Sequence, residues 1–162
     1  MTRLAAGSRG AADNAAMHPA TLSNPSVSTG LSVVLGGSGG IGAALVAQLQ
    51  SQGVEVLALG RRTQPALDYT DEASIAACAQ QVADRLAQTG LPLQRLIVAT
   101  GFLHGDTASG QRAEPERSWQ HLNTDALQHS FLINAIGPAL VMRHFLPLLP
   151  RQGRCVAAFL SA

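Results

Sequence analysis

Five of the seven residues from Gly36 to Gly42 are glycine, with Ser38 and Ile41 between them. The apolar run Val33, Val34, Leu35 leads in, and the helix-like run at 43–50 follows directly. A strand that breaks into glycines and restarts as a helix makes a phosphate cradle. Glycine permits positive φ and lets a pyrophosphate approach the backbone closely. The first-turn amides and the helix dipole then face the anion. Two dinucleotide-binding spacings fit: G-x-G-x-x-G over Gly37, Gly39 and Gly42, or G-x-x-x-G-x-G over Gly36, Gly40 and Gly42. A second chemical feature comes at Gly60-Arg61-Arg62, after the apolar run 54–59. A domain built for NAD usually carries Asp or Glu there, to accept from the ribose 2′-OH. Here no carboxylate repels a 2′-phosphate, and a guanidinium can pair with one bidentately. The residues therefore predict NADP(H) over NAD(H), with one or both arginines, Arg62 above all, alternatively solvated loop residues.

These groups need a scaffold, and from Leu31 the pattern supplies one. Leu31–Leu35 is a wholly apolar strand, as in a parallel sheet covered on both faces. Residues 41–52 predict a helix with Ile41, Leu45 and Leu49 on one stripe, ended by Gly53. Residues 54–59 predict a second strand and 66–69 a short third one, although six intervening residues leave no room for a crossover helix. Thr70 or Asp71 caps a helix to about Gln88, with Ile75, Val82 and Leu86 inward and Gly90 after its end. A strand over 93–100 precedes a polar loop at 103–115 and a short helix at 116–122. Thr124 is expected to cap a long helix over 125–148, in which Pro138 forces a kink or local adjustment. Residues 154–161 form the fifth strand. Strands alternating with helices imply an α/β fold with a doubly wound parallel sheet.

Composition narrows the function. Eleven basic and ten acidic residues give a net charge of +1, which offers no bulk electrostatic argument for nucleic acid or a membrane surface. No apolar run in the sequence approaches a membrane span of about 20 residues. Cys78 and Cys155 lack metal-ligand spacing and read as ordinary buried thiols in a reducing cytosol. His18, His104, His121, His129 and His144 show no metal or triad spacing and read as surface or helix-face residues. Residues 1–30, rich in Ala, Ser, Gly and Asn, read as a disordered extension, with Met1 or Met17 as the start. Arg3 and Arg9, with no acid in the first twelve residues, leave an organellar leader as the alternative.

Several stretches together resemble the short-chain dehydrogenase/reductase family. VVLGGSGGIG (Val33–Gly42) is similar to its first strand and turn in the Gly36/Gly40/Gly42 register, with Leu35 where Thr is usual. LDYTDEAS (Leu67–Ser74) resembles the Asp-x-Thr-Asp stretch, and NAIGPALVMRHFLPLL (Asn134–Leu149) the Asn-x-x-Gly-Pro helix. The resemblance covers residues 31–162 and implies a Rossmann-type fold, here C-terminally incomplete, with a partial NAD(P)-binding domain. It implies cofactor contacts at Gly36, Ser38, Gly40, Ile41, Gly42, Arg61, Arg62, Asp68, Tyr69, Thr100 and Gly101, with Asp68 on the adenine. It implies catalytic roles for Asn134, whose backbone carbonyl would hold a water, and for Ser161, although the alignment sets Ala162 at the family's catalytic Ser position. Where the family usually ends its fourth strand Asn-Asn-Ala-Gly, this chain has Val98-Ala99-Thr100-Gly101, a variation similar to the C-factor-like carbonyl reductase branch. The missing Asn implies that local stability is achieved differently.

The family's proton donor lies in Tyr-x-x-x-Lys. These 162 residues hold one Tyr, Tyr69, and no Lys. The expectation is a truncated NADP(H)-dependent oxidoreductase for small carbonyls or alcohols, inactive alone. The alternatives are a non-catalytic NADP(H)-binding or interaction module, or a fragment without function. The resemblance also implies a homo-oligomer through the 125–148 helix. An incomplete fold is expected to leave a sheet edge and apolar helix residues such as Phe145 and Leu148 uncovered.

Overall fold

The computed structural model describes residues 30–160. The expected extension over 1–29, the choice between Met1 and Met17, and the role of Ser161 lie outside them. Strand β1 (Leu31–Leu35) is central and buried along its whole length, as a strand with helices on both faces must be. It pairs in parallel with β2 (Val56–Leu59) on one side and β3 (Leu93–Val98) on the other. A separate two-stranded hairpin, β4 (Gly105–Asp106) with β5 (Arg112–Ala113), follows. Strand β6 (Val156–Phe159) then joins β3, giving the order β2-β1-β3-β6.

Alternation along β1 feeds two cores. Leu31, Val33 and Leu35 join Ile75 and Val82 of α2 (Glu72–Thr89) and Val141 and Phe145 of α4 (Gly137–Phe145). Val34 points the other way, onto Leu49 of α1 (Gly40–Ser51) and Val54. The sheet is therefore wound on both faces, and each fully buried aliphatic side chain contributes roughly 2 kcal/mol. Helix α2 starts at Asp71, whose side chain accepts from the Ala73 amide at 3.0 Å, and stops at Gly90 with φ +67°.

Several expectations need correction. Residues 66–69 form no strand, so the described sheet has four strands. The segment is held instead by turn bonds, including Leu67 N–H to the Gly60 carbonyl at 3.0 Å. Ile41 is 65% exposed and is not on the packed stripe, which runs through Gly42, Val46 and Leu49. The loop 103–115 contains the β4–β5 hairpin, closed around Gly110 with φ +83°. Residues 116–122 hold only a 3-10 turn, Trp119–His121. The next helix is capped by Asn123, not Thr124: the Asn carboxamide oxygen accepts from both the Asp125 and Ala126 amides, at 2.8 and 3.2 Å.

The long helix is composite. It runs as α3 (Thr124–Phe131), a π turn (Leu132–Ile136), α4, and a 3-10 turn (Leu146–Leu148). Pro138 has no N–H for the carbonyl four residues earlier, that of Asn134, and the widened turn absorbs the mismatch. Phe145, expected to be uncovered, is fully buried. The exposed apolar side chains on this run are Leu127, Phe131, Ile136, Met142 and Leu146. At the open sheet edge, Val156 of β6 is 46% exposed. By length and composition Thr124–Leu148 could cross a membrane, contrary to the sequence reading, with mean hydropathy 1.4. Here, however, its Val141 and Phe145 seal the sheet, and Arg143 and His144 both bond Glu72 of α2 at 2.9 Å.

Candidate cofactor site

The chain passes from β1 to β2 on one side, then crosses to β3 on the other. The crevice at the carboxyl ends of β1 and β3 is therefore the topological switch point, where open α/β sheets take their ligands. Residues 36–42 leave β1 there, and Ala99 to Gly101 leave β3. Gly36 has φ +83°, and a Cβ on it would sit 2.9 Å from the Ala99 carbonyl. A Cβ on Gly42 would lie 2.2 Å from the Gly36 oxygen, so helix and turn meet as closely as backbone allows. Gly40 differs: a Cβ there meets nothing within 4 Å.

The open space lies at the start of α1, whose first turn holds no acidic residue. The first helical bond is Ala43 N–H to the Gly39 carbonyl, at 2.7 Å. The amides of the first turn have no intrahelical acceptor and meet the space left at Gly40. A dinucleotide pyrophosphate fits this cradle: backbone donors, a helix dipole and room for close approach. Ile41 is exposed beside it. The Ser38 hydroxyl lies 3.7 Å from a Cβ built on Gly60, linking the cradle to the end of β2.

Arg61 and Arg62 are both exposed in the turn after β2, and neither forms an ion pair within 4.0 Å among the described residues. Asp68 returns the chain toward α2. Its carboxylate accepts from the Thr70 hydroxyl at 2.7 Å and the Thr70 amide at 2.8 Å. These bonds, with the positive field of Arg61, hold its pKa below the ordinary carboxylate value.

Tyr69 sits beneath the crevice. Its ring is buried against Gly137 of α4, and burial pushes its phenol pKa up. Only its hydroxyl reaches toward the site, meeting the Thr100 hydroxyl at 2.8 Å. That bond anchors the segment after β3. The β3 end is further fixed to β1 by Ala99 N–H to the Leu35 carbonyl, at 2.8 Å.

Asn134, in the π turn, clamps the next stretch. Its Oδ1 accepts from Phe102 N–H at 2.8 Å, while its Nδ2 donates to the Phe102 carbonyl at 2.7 Å and to Ser130 Oγ at 3.1 Å. Gly101 lies alongside, where a Cβ would be 3.7 Å from Asn134 Oδ1. The Phe102 ring meets the His129 ring edge-on at 4.5 Å. The sequence singled out Asn134 but not Phe102 or Ser130, because a backbone clamp leaves no mark on the residue it holds. Replacing Asn134 with Leu removes both bonds to Phe102. The variant is expected to lose about 2 kcal/mol of stability and to speed amide exchange at Phe102, measured by urea titration and hydrogen exchange.

The structure thus brings Gly36, Ser38, Gly40, Ile41, Gly42, Thr100, Gly101 and Asn134 to one crevice. Arg61, Arg62 and Asp68 stand at its β2 side, and Tyr69 supports it from below. Two other surface depressions lie away from this crevice. One is beside the β4–β5 hairpin at Thr107, Arg112 and Asp125, the other along the edge of β2 at Glu55, Gln81 and Arg85.

The same fold occurs in solved structures. A family model described as the NAD dependent epimerase/dehydratase family matches residues 32–91. A solved small-chain dehydrogenase in complex with NADPH is 25% identical, with TM-score 0.52, covering 80% of this chain and 50% of its own. In fold and in part of its sequence the chain is similar to short-chain dehydrogenases. A short-chain dehydrogenase from Streptomyces avermitilis shares the fold, at 24% identity with TM-score 0.58, over 82% of this chain and 49% of that one. Aldohexose dehydrogenase from Thermoplasma acidophilum shares the fold, with TM-score 0.63 at 14% identity, over 82% and 49%. The chain spans about half the length of these short-chain dehydrogenase structures. Among curated proteins no relative matches it. The match to an NAD dependent family model and the likeness to an NADPH-bound dehydrogenase support a nicotinamide cofactor as the ligand of the crevice.

Proposed function

We propose that this chain forms the nucleotide-binding half of an NADP(H)-dependent short-chain oxidoreductase acting on a small carbonyl or alcohol. The observation that carries the reading is the Gly60–Arg62 turn, which sets two exposed guanidinium groups beside the cradle, with no acid until Asp68. The amides of Gly40 and Ile41 would hold the pyrophosphate, Arg61 and Arg62 the 2′-phosphate, and Asp68 the adenine. When bound, the cofactor supplies hydride to, or takes it from, an oxygen-bearing carbon. These residues bind and orient it. Thr100, Gly101 and Asn134 line the reacting end, and Ser161 is assigned to the substrate. The Val98–Gly101 sequence supports a place in the C-factor-like carbonyl reductase branch.

Two further features fit. Cys78 and Cys155 are both free, in keeping with a reducing cytoplasm. Leu127, Phe131 and Met142, exposed on the composite helix, supply an apolar face for a homo-oligomer.

Fluorescence titration of the 162-residue chain tests the cofactor reading. NADPH is expected to bind at least about tenfold more tightly than NADH, the scale of one charge-assisted contact pair. Replacing Arg61 and Arg62 together by Ala should abolish that preference while leaving NADH affinity unchanged. Equal affinities in the parent chain would overturn the assignment to NADP(H). A second reading, nucleotide binding without turnover by these residues, is favoured by Tyr69: the one phenol in the chain is buried in the core. NADPH-dependent carbonyl reduction by this chain would rule that reading out.

A further inference from the structure

Arg61 and Arg62 are surface side chains on a turn, and a turn presents a phosphate site only if its backbone is held. Thr63 supplies the hold. Its hydroxyl accepts from the Gly60 amide at 3.1 Å and shares its proton between the Gly60 carbonyl at 2.8 Å and the Pro65 carbonyl at 2.7 Å. The Gly60 carbonyl also accepts from the Thr63 amide at 3.1 Å and the Leu67 amide at 3.0 Å. Both ends of the arginine turn are thus tied to one half-buried hydroxyl. One residue earlier, the Leu59 carbonyl accepts from the Gly36 amide at 2.8 Å and the Gly37 amide at 3.4 Å. An unbroken path of bonds therefore runs from the phosphate cradle through the end of β2 to Thr63.

The connection is short. Only eight residues separate Leu59 from Asp68, and among them no helix or strand forms to set the backbone. Hydrogen bonds must do what a regular element does elsewhere, and three of those within the turn converge on the Thr63 hydroxyl.

We propose that Thr63 is a positioning residue for 2′-phosphate selection: its hydroxyl orders residues 60–65 so that Arg61 and Arg62 are pre-set for NADP(H). This rests on the NADP(H) reading above. Without the hydroxyl, the arginines remain but must be ordered at the moment of binding, so the cost falls on the 2′-phosphate contact. The cradle amides of Gly36 and Gly37 bond the Leu59 carbonyl, which does not itself bond that hydroxyl, so NADH is little affected.

The test compares Thr63→Val, which keeps the shape and removes the hydroxyl, with Thr63→Ser, which keeps the hydroxyl. NADPH and NADH dissociation constants are measured by fluorescence titration on the whole chain, with thermal melts alongside. Thr63→Val is expected to narrow the NADPH/NADH affinity ratio about fivefold, and Thr63→Ser to restore it. A purely structural role would weaken both nucleotides alike and leave the ratio untouched, which would overturn the proposal. Should Thr63→Val fail to fold, the Thr63→Ser and Thr63→Asn variants are compared: an Asn ratio equal to that of Ser would also overturn it. A parent chain without NADPH preference sinks the NADP(H) reading itself. A parent with preference and a Thr63→Val variant that keeps it sinks only the role of Thr63.

Discussion

Gly40→Ala is expected to leave the chain as stable as the parent, or up to about 1 kcal/mol more stable, while weakening NADPH binding more than about tenfold. Gly42→Ala is expected to do the opposite in kind: to lose about 3 kcal/mol or more of stability, and binding with it. The two glycines lie two residues apart in one helix turn, and ordinary propensity would rank the substitutions alike. Their surroundings differ. The Cβ added at Gly40 meets nothing within 4 Å, so alanine gains helix propensity without a clash. The Cβ added at Gly42 lands 2.2 Å from the Gly36 oxygen, a backbone atom held by the Gly39 amide, which donates to it at 3.0 Å. Space left open at Gly40 serves no internal packing, so filling it costs only what enters from outside. Thermal melts followed by circular dichroism, paired with NADPH titration, separate the cases. A Gly40→Ala chain that binds NADPH normally would sink the cradle assignment, whatever its melting temperature.

The same comparison shows how much was legible beforehand. The sequence admitted two glycine registers, and family resemblance favoured Gly36, Gly40 and Gly42. In the structure Gly36 and Gly42 carry the steric demand, and Gly40 the open space. Gly37 is crowded as well, since a Cβ there would lie 2.8 Å from Ala58. The ambiguity was therefore physical: four of the five glycines serve either packing or access, and spacing alone cannot separate those demands. The strands β1, β3 and β6 and helix α2 were readable because their apolar period, caps and end glycines agree. Residues 66–69 misled because Leu67 and Tyr69 are buried alternately, as in a strand. That alternation comes from an extended loop packing on α2 and α4, with no neighbouring strand to pair. Ile41 misled for a related reason. The tight approach of Gly42 turns α1 so that glycine, with no side chain, takes the packed position and Ile41 faces out.

Function was legible only in part, and for a reason tied to distance along the chain. Local chemistry, such as the Gly36–Gly42 turn and the arginine pair, could be read from adjacent residues. The Asn134–Phe102 clamp spans 32 positions and the Tyr69–Thr100 pair spans 31, and both depend on how the helices close over the sheet. Thr63 is local, yet it escaped notice beside the two charges it follows. A hydroxyl three residues after a glycine is common in loops, and only its three partners mark it out.

Gly137→Ala is expected to lose as much stability as Gly42→Ala. In the sequence this glycine is part of Asn-x-x-Gly-Pro, next to the Pro138 expected to kink the helix. In the structure its φ is ordinary for a helix, at −56°, so backbone freedom does not explain it. Packing does. A Cβ at Gly137 would lie 2.1 Å from Tyr69 Cδ2 and 2.4 Å from Cγ, deep in the ring rather than at a flexible tip. The ring cannot swing aside, because its hydroxyl is bonded to Thr100 and its faces are buried between α4 and the sheet. Alanine there must push α4 off the core or expel the tyrosine, at a cost of about 3 kcal/mol or more. Removing the ring should relieve it: Tyr69→Ala alone is destabilising through its cavity, by about 3 kcal/mol. Gly137→Ala added to Tyr69→Ala should then cost far less than in the parent, a coupling readable in a double-mutant cycle by urea denaturation. Independent, additive losses would show that Gly137 is required for some reason other than Tyr69. Coupled losses would place the phenol, the kinked helix and Thr100 in one unit, so that the helix carrying Asn134 and the floor of the crevice keep or lose their positions together.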